Sequence, residues 1–437
     1  MVSHKIRGRT AAEIVTSVEQ DVHGGRLPLG STLPTIRELS AVLKVSPATV
    51  AAAYRVLRSR GLTASSGRRG TRVAARPPSP AAKRGAAVLP GLVDLATGNP
   101  DPVLLPPLAV GLRAVASAPH LYGDPAELRA LMAFLQAEFD ADGIPSSAAT
   151  IVSGALDGIE RILREHLRSG DVVAVEDPSF PGVLDLLAAA GLGRIPFSVE
   201  DDGPVPASVD DALRRARAII VTPRAQNPTG AALTSERAGE LRRILRKHDQ
   251  VLLIENDPAG PVAGAAPITL SGETRHWVVI RSTSKFLGPD LRVAALAGDD
   301  LTIARVEGHQ ALGARWVSTI LQQLVLALWS DPSSGRLLAR AAEIYGQRRS
   351  ALLAALSAHG IDAHGRSGFN GWIPVRQETT VVNALAERGW SVMAGERFRL
   401  RSAPAIRVTC SRLSPSDAGR FAASLAESLQ QAGVRFA

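Results

Sequence analysis

Residues 281–292 read RSTSKFLGPDLR and contain a lysine, Lys285, shortly after an apolar run. Residues 277–280 before it are apolar and mostly β-branched, which predicts a buried strand. A lysine at the mouth of such a strand is poorly solvated, so the pKa of Lys285 is expected to fall, and its amine suits Schiff-base chemistry with a carbonyl cofactor. Ser282, Ser284 and Arg292 are the groups that a phosphate would bind. The alternative is a surface Lys–Arg pair around an ordinary loop, and this segment alone does not decide.

The elements that would position this lysine follow from the later chain, where strand-like runs alternate with helical stretches. Such alternation predicts a mostly parallel sheet covered by helices. The buried strand candidates are residues 171–175, 218–221, 251–254 and 277–280. Each ends in a polar or Pro/Gly segment, and ligands of open α/β sheets bind at the carboxyl ends of strands. The four ends therefore outline one predicted site.

Composition narrows the class of protein. The 437 residues predict two or three domains, and 45% apolar with 21% charged residues is typical of a globular protein. The single cysteine, Cys410, excludes an intrachain disulfide and a thiolate metal cluster, and no metal is expected. Neither a leader peptide nor an apolar run long enough for a membrane span is evident, so we expect a cytoplasmic location and no membrane partner.

The charge is unevenly distributed. Residues 1–90 contain 15 Lys or Arg and 4 Asp or Glu, a net charge of +11, whereas the remaining chain contains 35 against 37. A basic N-terminal part on a near-neutral body indicates a polyanionic partner, and nucleic acid is the first candidate.

The N-terminal pattern supports that candidate. Apolar residues at helical spacing predict three helices, the third capped by Ser46 with Pro47 in its first turn and ending near Gly61. Two short strand-like pieces then flank a basic turn. A helix-turn-helix followed by a basic hairpin can place one helix in the major groove and a wing on the DNA backbone. A small basic protein-interaction domain is the alternative.

The motifs LPTIRELS from residue 33, VSxxTV from 45 and AYxxLxxxG from 53 resemble the winged helix of GntR-type bacterial regulators. The resemblance implies that operator DNA is contacted by Arg37, Ser46, Thr49 and the wing residues Arg68 and Arg69. One departure is Pro47, where the family usually has an arginine, which removes a DNA contact. A Pro- and Ala-rich stretch follows and predicts an extended linker. We predict a DNA-binding domain at 1–75, a linker at 76–91 and a larger domain at 92–437.

The larger domain resembles a fold-type I aminotransferase over essentially all of residues 92–437. The motifs that carry the resemblance appear in the family's order: GNP at 98, YGDP at 122, VSGA at 152, DPSFPG at 177, QNPTG at 226, the lysine segment, and AIRV at 405. The resemblance implies a mostly parallel sheet of the seven-stranded type with helices on both faces, plus a small C-terminal α/β subdomain.

The resemblance also assigns roles around pyridoxal 5′-phosphate (PLP). Lys285 forms the Schiff base and is the catalytic residue where catalysis occurs, and the remaining assignments surround it. The phosphate is bound by Gly154, Ala155, Ser282, Ser284 and Arg292, with Tyr122 from a partner subunit; the ring is held by Phe180, Asn227 and Asn256; an amino-acid-like ligand meets Arg407 and Asn99. For Phe180 and Arg407 the alternatives are a core aromatic and a surface charge.

Asn256 is the main departure from the aminotransferase pattern. The family usually has an aspartate here, which keeps the pyridine nitrogen protonated and makes the cofactor an electron sink. An asparagine is neutral, and the neighbouring Asp257 should point to the other side of the strand. A tyrosine expected two or three residues later is also missing. These changes favour a site that binds over one that turns over substrate.

A GntR-like winged helix joined to an aminotransferase-like domain is the arrangement of the MocR subfamily of transcriptional regulators. That resemblance implies a PLP-dependent regulator, a head-to-tail homodimer on double-stranded operator DNA, with a small amino compound as effector. One alternative is a PLP-dependent aminotransferase, transferring amino groups between amino acids and α-keto acids, with a DNA-binding head. Another is a regulator whose larger domain has lost the cofactor and only dimerises.

Overall fold

A computed structural model describes residues 6–23, 26–28, 30–59, 62–65, 70–73, 91–115 and 118–431. The chain divides into two compact units, each described by itself. The first contains the described residues up to 73 together with Arg168–Asp171 and Asp185–Gly193, and the second contains the large sheet. The predicted linker at 76–91 falls almost entirely outside the described residues, so its boundaries stay predictions.

The N-terminal part of the first unit consists of three helices and a hairpin. The elements are α1 (Ala11–His23), α2 (Ile36–Leu43), α3 (Pro47–Ser59), β1 (Thr63–Ser65) and β2 (Thr71–Val73). The two strands pair antiparallel, as the predicted wing requires. A capping box fixes the start of α2, because the Thr35 hydroxyl accepts from the Glu38 N–H and the Glu38 carboxylate accepts from the Thr35 N–H. The helices pack on a common apolar core that includes Val18, Val50 and Leu57.

The second unit is built around an eight-stranded sheet. Its strands are β4 (Ala149–Val152), β5 (Val172–Asp177), β6 (Gly193–Glu200), β7 (Gly203–Pro204), β8 (Ala218–Val221), β9 (Leu252–Asp257), β10 (Trp277–Ser282) and β11 (Ala294–Gly298). The spatial order is β4-β11-β10-β9-β8-β5-β6-β7. The four neighbours β10, β9, β8 and β5 are parallel, while β11 pairs antiparallel with both β10 and β4.

The predicted buried strands at 171–175, 218–221, 251–254 and 277–280 are confirmed as β5, β8, β9 and β10. Every residue of β8, β9 and β10 is buried, as expected for parallel strands covered on both faces. The sheet exceeds the seven-stranded type by the two-residue β7, which pairs antiparallel with β6 at the edge. The mostly parallel sheet therefore matches the fold that the sequence predicts.

Helices and a smaller sheet complete the second unit. The helices are α4 (Leu108–Leu112), α5 (Arg129–Ala141), α6 (Ala155–His166), α7 (Pro181–Ala189), α8 (Pro206–Leu213), α9 (Ser235–Lys247), α10 (Asp300–Leu312), α11 (Thr319–Ser330), α12 (Pro332–Ala358), α13 (Glu378–Glu387) and α14 (Pro415–Gln431). The remaining strands are β3 (Val93–Asp94), β12 (Asn370–Pro374), β13 (Trp390–Ser391), β14 (Met393–Ala394) and β15 (Ala405–Thr409). The strand order β12-β15-β14 forms the predicted C-terminal subdomain with α13 and α14, while β13 pairs with β3.

The described residues lack two features that would indicate a membrane-spanning or a metal-binding protein. No helix among them is long and apolar enough to cross a membrane. Within the same residues, no group of three or more His, Cys, Asp or Glu side chains is arranged to hold a metal ion.

Candidate functional site

Lys285 lies just after β10, at the carboxyl end of the parallel strands. Its Nζ donates a hydrogen bond to the Gly98 carbonyl oxygen at 2.6 Å and lies 5.8 Å from the centre of the Phe369 ring. Burial, and then the nearby charge of Arg407, lower the pKa of Lys285 to about 8. Both effects disfavour the ammonium form, so the uncharged amine needed for attack on a carbonyl is accessible near neutral pH.

The groups predicted to hold a phosphate form a cradle beside this lysine. The hydroxyl oxygens of Ser282 and Ser284 lie 3.0 Å apart, and Arg292 donates to the Ser153 carbonyl oxygen at 3.3 Å. Gly154 is the N-cap of α6, and a Cβ atom added there would lie 2.5 Å from Arg292 Nη2. The glycine therefore lets the guanidinium approach the helix N-terminus, where free N–H groups of the first turn, including that of Ala155, favour an anion. The cradle fits a phosphate.

Asn256 lies on β9 and is only 8% exposed, yet its Oδ1 has no hydrogen-bond partner among the described residues. An unpaired buried polar atom is costly unless a ligand completes it. A ring N–H that donates to Asn256 Oδ1 would remove that cost, so this residue also fits the heterocycle of PLP. Because an amide is neutral, it gives the ring a hydrogen bond without the negative charge of an aspartate.

Asp257 points to the opposite side of β9, as the alternation of a strand predicts. Its carboxylate accepts from Arg224 Nη2 at 2.7 Å, from Arg281 Nε at 3.2 Å and from the Gly260 N–H at 3.0 Å. Burial would raise the pKa of Asp257, but the two guanidinium groups outweigh it and lower the value to about 2. Asp142 also contacts both arginines. Asp257 is thus committed to this buried ion network and is not available to replace the missing aspartate.

Arg407 lies on β15 and is 4% exposed. Its guanidinium donates to Asn227 Oδ1 at 3.2 Å and to the Ala96 carbonyl oxygen, and it lies 5.0 Å from the Phe398 ring centre. Its Nε has no hydrogen-bond partner, and none of the ion pairs found in the described part of the chain involves it. Burial lowers the pKa of Arg407 to about 10. A buried guanidinium without a carboxylate partner is a binding group for an anionic ligand, so Arg407 is no surface charge.

Asn227 and Asn99, two further predicted site residues, occupy different environments. Asn227 accepts from Arg407 through Oδ1, and no hydrogen bond from its amide nitrogen is found among the described residues, so that nitrogen can still donate to a ligand. Asn99 is exposed. Its side-chain amide nitrogen donates to the Thr97 hydroxyl at 3.0 Å, and its backbone carbonyl oxygen accepts from the Ser411 hydroxyl. The predicted ligand roles of both residues stay predictions.

Two aromatic residues differ in their relation to the site. Phe180 is 37% exposed, and a Cβ atom added at Gly182 would lie 2.6 Å from its ring and 3.0 Å from Leu156, so the ring lies close to the start of α6. It is therefore a partly open aromatic face and not a core residue. Tyr122 is 80% exposed and contacts Trp316 and Arg315. No contact among the described residues joins Tyr122 to the Lys285 cradle, and its contribution from a partner subunit stays a prediction.

Glu176 and Gln226 belong to the candidate site, although the sequence motifs assign no role to them. Gln226 Nε2 donates to Glu176 Oε2 at 2.9 Å and to the Pro178 carbonyl oxygen at 2.8 Å, and its Oε1 accepts from Thr229. This amide joins the loop that carries Phe180 to the loop that carries Asn227. Burial raises the pKa of Glu176 to about 7. Gln226 begins the QNPTG motif and Glu176 directly precedes the DPSFPG motif, which was the available signal, but the bridge itself depends on tertiary contacts.

The predicted DNA-binding residues are partly described. Arg37 is exposed on α2, and Ser46 precedes α3. The Ser46 hydroxyl accepts from the Thr49 N–H at 3.1 Å and lies 2.8 Å from the Thr49 hydroxyl, which confirms the predicted cap. Arg68 and Arg69 lie outside the described residues, and the DNA contacts of all five stay predictions.

Comparisons with known proteins agree with this division of the chain. The family described as "Bacterial regulatory proteins, gntR family" matches residues 10–73, and "Aminotransferase class I and II" matches residues 98–425. The chain is 40% identical over 433 residues to the vitamin B6 salvage pathway transcriptional repressor PtsJ of Salmonella typhimurium, covering 98% of this chain and all of that protein. This chain belongs to the MocR subfamily of GntR-type transcriptional regulators.

This MocR-type chain is also similar to another regulator and to solved aminotransferase structures. It is 25% identical to the uncharacterised HTH-type transcriptional regulator YcxD of Bacillus subtilis, over 82% of each chain. The α-aminoadipate aminotransferase LysN of Thermus thermophilus superposes with a TM-score of 0.70 at 20% identity, covering 81% of this chain and 97% of that one. At such identity the superposition shows that the larger unit has the aminotransferase fold.

The Asp257 network predicts a large stability effect. Asp257→Asn should lower the free energy of unfolding by about 3–5 kcal/mol, because it leaves two buried guanidinium groups without their main counter-charge. All five tryptophans lie between Trp277 and Trp390, so tryptophan fluorescence in a urea titration reports on the larger unit. As a control, Asp249→Asn breaks an exposed pair with Arg275 and should leave the curve unchanged. Equal effects of the two variants would contradict the role of the network.

The pKa of Lys285 predicts the pH dependence of its reaction with an aldehyde. At pH 8 about half of Lys285 is uncharged, against roughly 0.4% of an ordinary lysine. The rate of absorbance change on adding PLP should therefore rise with pH and level off above a midpoint near 8. Arg407→Met removes a neighbouring positive charge and should move the midpoint upward. A wild-type midpoint above 10 would show that the lysine is not perturbed.

Proposed function

We propose that this protein regulates transcription as a PLP-dependent homodimer, with Lys285 as the cofactor lysine and an amino compound as effector. The observation that carries the proposal is the partly buried Lys285, with its lowered pKa and its hydrogen bond to Gly98, next to a cradle that fits a phosphate. When bound, PLP supplies an aldehyde that condenses with primary amines and a ring that accepts electrons. The DNA-binding unit makes double-stranded operator DNA the partner, and a cytoplasmic location follows from that role.

The site's own residues divide the work of binding. Ser282, Ser284, Arg292 and the N-terminus of α6 would hold the phosphate, while Asn256 meets the ring. Arg407 would take the carboxylate of an amino-acid-like effector, with Asn227 keeping the guanidinium oriented through its Oδ1. An effector regulates only if it binds two states of the protein unequally, so these contacts must differ between the DNA-binding and released states.

Dimerisation is supported by exposed apolar side chains in the second unit. Val103, Leu108, Val110 and Leu112 are 44–78% exposed, and Leu121 with Tyr122 adds a second exposed pair. Apolar surface of this kind marks a protein–protein contact. A head-to-tail partner that covers it would also explain Tyr122, whose phenol can then complete the phosphate cradle of the other subunit.

The regulated genes are proposed from the relative that matches the whole chain. PtsJ is named as a repressor of vitamin B6 salvage, and the present chain is 40% identical to it. We infer that this protein acts on genes of the same pathway, where PLP would be both the cofactor and a signal of pathway output.

The competing function is a PLP-dependent aminotransferase that carries a DNA-binding head. Lys285, Asn227, Arg292 and Arg407 favour it, since all four are present in the site. Asn256 opposes it, because a neutral amide does not keep the ring nitrogen charged and so weakens the electron sink. Regulation is therefore the function that the site supports best.

A footprint of the promoter region next to the gene, with and without PLP, tests the regulatory function. We expect protection of one operator with two half-sites, and an affinity that PLP changes by at least about threefold, equivalent to a coupling of roughly 0.7 kcal/mol. The wild-type protein should also gain an absorbance band with PLP that Lys285→Ala lacks. Absence of the band would indicate a scaffold without cofactor, and absence of protection would contradict DNA regulation.

Asn256 gives a test between regulator and enzyme. Asn256→Asp restores a negative charge next to the ring and should raise amino-group transfer from L-amino acids to α-keto acids by at least about tenfold, a barrier change of roughly 1.4 kcal/mol. Product formation is followed by chromatography. The matched variant Asn256→Ala should bind PLP more weakly and gain no activity. Steady turnover by the wild-type protein would instead favour the aminotransferase.

A further inference from the structure

Residues 94–98 form a short segment, here called the strap, that passes over the candidate site. Its carbonyl oxygens accept hydrogen bonds from the two cations of the site. Lys285 Nζ donates to the Gly98 oxygen at 2.6 Å, and Arg407 Nη2 donates to the Ala96 oxygen. Gly98 has a φ of +72°, and a Cβ atom there would lie 3.3 Å from Arg407 Nη1, so the absence of a side chain lets the guanidinium approach. The strap and the two cations are therefore in direct contact.

Other contacts hold the strap from its own side. Asp94 Oδ1 accepts from the N–H groups of Ala96 and Thr97 at 2.9 and 3.0 Å, and Leu95 is bonded through its N–H to Ser391 and through its carbonyl oxygen to Thr409. At the Ala96 and Gly98 oxygens, the hydrogen bonds found come from Arg407 and Lys285. In the second half of the strap, Asp94 thus holds N–H groups, while the two carbonyl oxygens are held by Lys285 and Arg407.

Reaction with an aldehyde cofactor would remove the hydrogens that Lys285 Nζ donates. When an uncharged amine condenses with an aldehyde, a carbon–nitrogen double bond forms, and both amine hydrogens leave with the carbonyl oxygen as water. Once its hydrogens had left in this way, Nζ would no longer be free to donate to the Gly98 carbonyl oxygen, and that hydrogen bond would be lost. Arg407 responds less sharply, because its unpaired Nε can receive a carboxylate while Nη2 still donates to Ala96. Lys285 is therefore the decisive contact.

The position of the strap in the chain gives this contact a consequence for DNA binding. Residues 74–90, which lie outside the described part, connect the DNA-binding unit to residue 91, three residues before the strap. We propose that Lys285 and Arg407 hold the strap in the cofactor-free protein, and that cofactor loading on Lys285 releases it and changes operator affinity through this connection. The inference rests on the proposed function and adds a route from the cofactor site to the DNA-binding unit.

Hydrogen exchange of the full-length protein tests the release directly. A peptic peptide covering the strap should exchange its amide hydrogens at least about fivefold faster after PLP is added, since a hydrogen bond to a charged group has been lost. A peptide covering β12, Asn370–Pro374, serves as an internal reference and should not change. Exchange of the strap that stays equal or slows while the absorbance band shows PLP to be bound would overturn the proposal.

Two variants of Lys285 test the same contact without any cofactor. Lys285→Ala removes the donor, so the amide hydrogens of the strap should exchange fast even without PLP, and adding PLP should not change their rate. Lys285→Arg keeps a charged donor of similar reach but does not condense with PLP, so the strap should stay slow. Operator affinity should follow: Lys285→Ala should resemble the PLP-loaded wild type, and Lys285→Arg the PLP-free wild type. Equal exchange in the two variants would also overturn the proposal.

These readouts separate the strap from the proposed function. If wild-type protein does not take up PLP, the proposed function fails, and the comparison of Lys285→Ala with Lys285→Arg still decides whether Lys285 holds the strap. If PLP binds and changes operator affinity while hydrogen exchange of the strap does not change, the proposed function stands and the proposed role of the strap is wrong.

Discussion

The ion pairs of Asp257 with Arg224 and Arg281 connect the elements on which the candidate site is built. They join β9, β10 and the loop after β8, and Asp142 extends them to the end of α5. Breaking one partner of such a buried set leaves an uncompensated charge, so the strand ends are held in a fixed relation. Because Asp257 is held on one side of β9, Asn256 is held on the other, where the ring of a cofactor would lie.

The balance of charge differs between the two sides of β9, and this difference explains why the site favours ligand binding over amino-group transfer. On the side of Asp257, cations and anions are matched. On the site side, Lys285 is partly buried and Arg407 is buried, and none of the ion pairs found among the described residues involves either cation. Asn256 stands where an aspartate would have added a negative charge. Burial, and then the positive charge of Arg407, lowers the pKa of Lys285, and the unmatched positive charge attracts anionic ligands. It does not by itself provide the electron sink that amino-group transfer requires, which favours binding over turnover.

A protein of this construction uses an enzyme fold for a regulatory purpose. Residues 98–425 match the aminotransferase class I and II family, and residues 10–73 add a DNA-binding unit of the GntR family. Regulation then requires that occupancy of the site alter a segment that the DNA-binding unit can sense. The Gly98 carbonyl that accepts from Lys285 is suited to this, because the cofactor and the strap would compete for the same Nζ.

The sequence by itself determined the fold class and the pairing of a GntR-type unit with an aminotransferase-type unit, and it predicted most of the candidate site residues. Motifs such as the capped helix at Ser46 and the lysine after a buried strand are local, and strand alternation was enough to place Asp257 away from Asn256. Only the tertiary structure decided which groups Lys285 and Arg407 contact, since the partners are backbone oxygens almost 190 and more than 300 residues away. The Gln226 bridge and the two arginines around Asp257 were equally inaccessible, because residue types do not reveal which side chains meet between separate strands. Backbone carbonyls leave no signature in a sequence, and the contacts that they make depend on the packing of the whole unit.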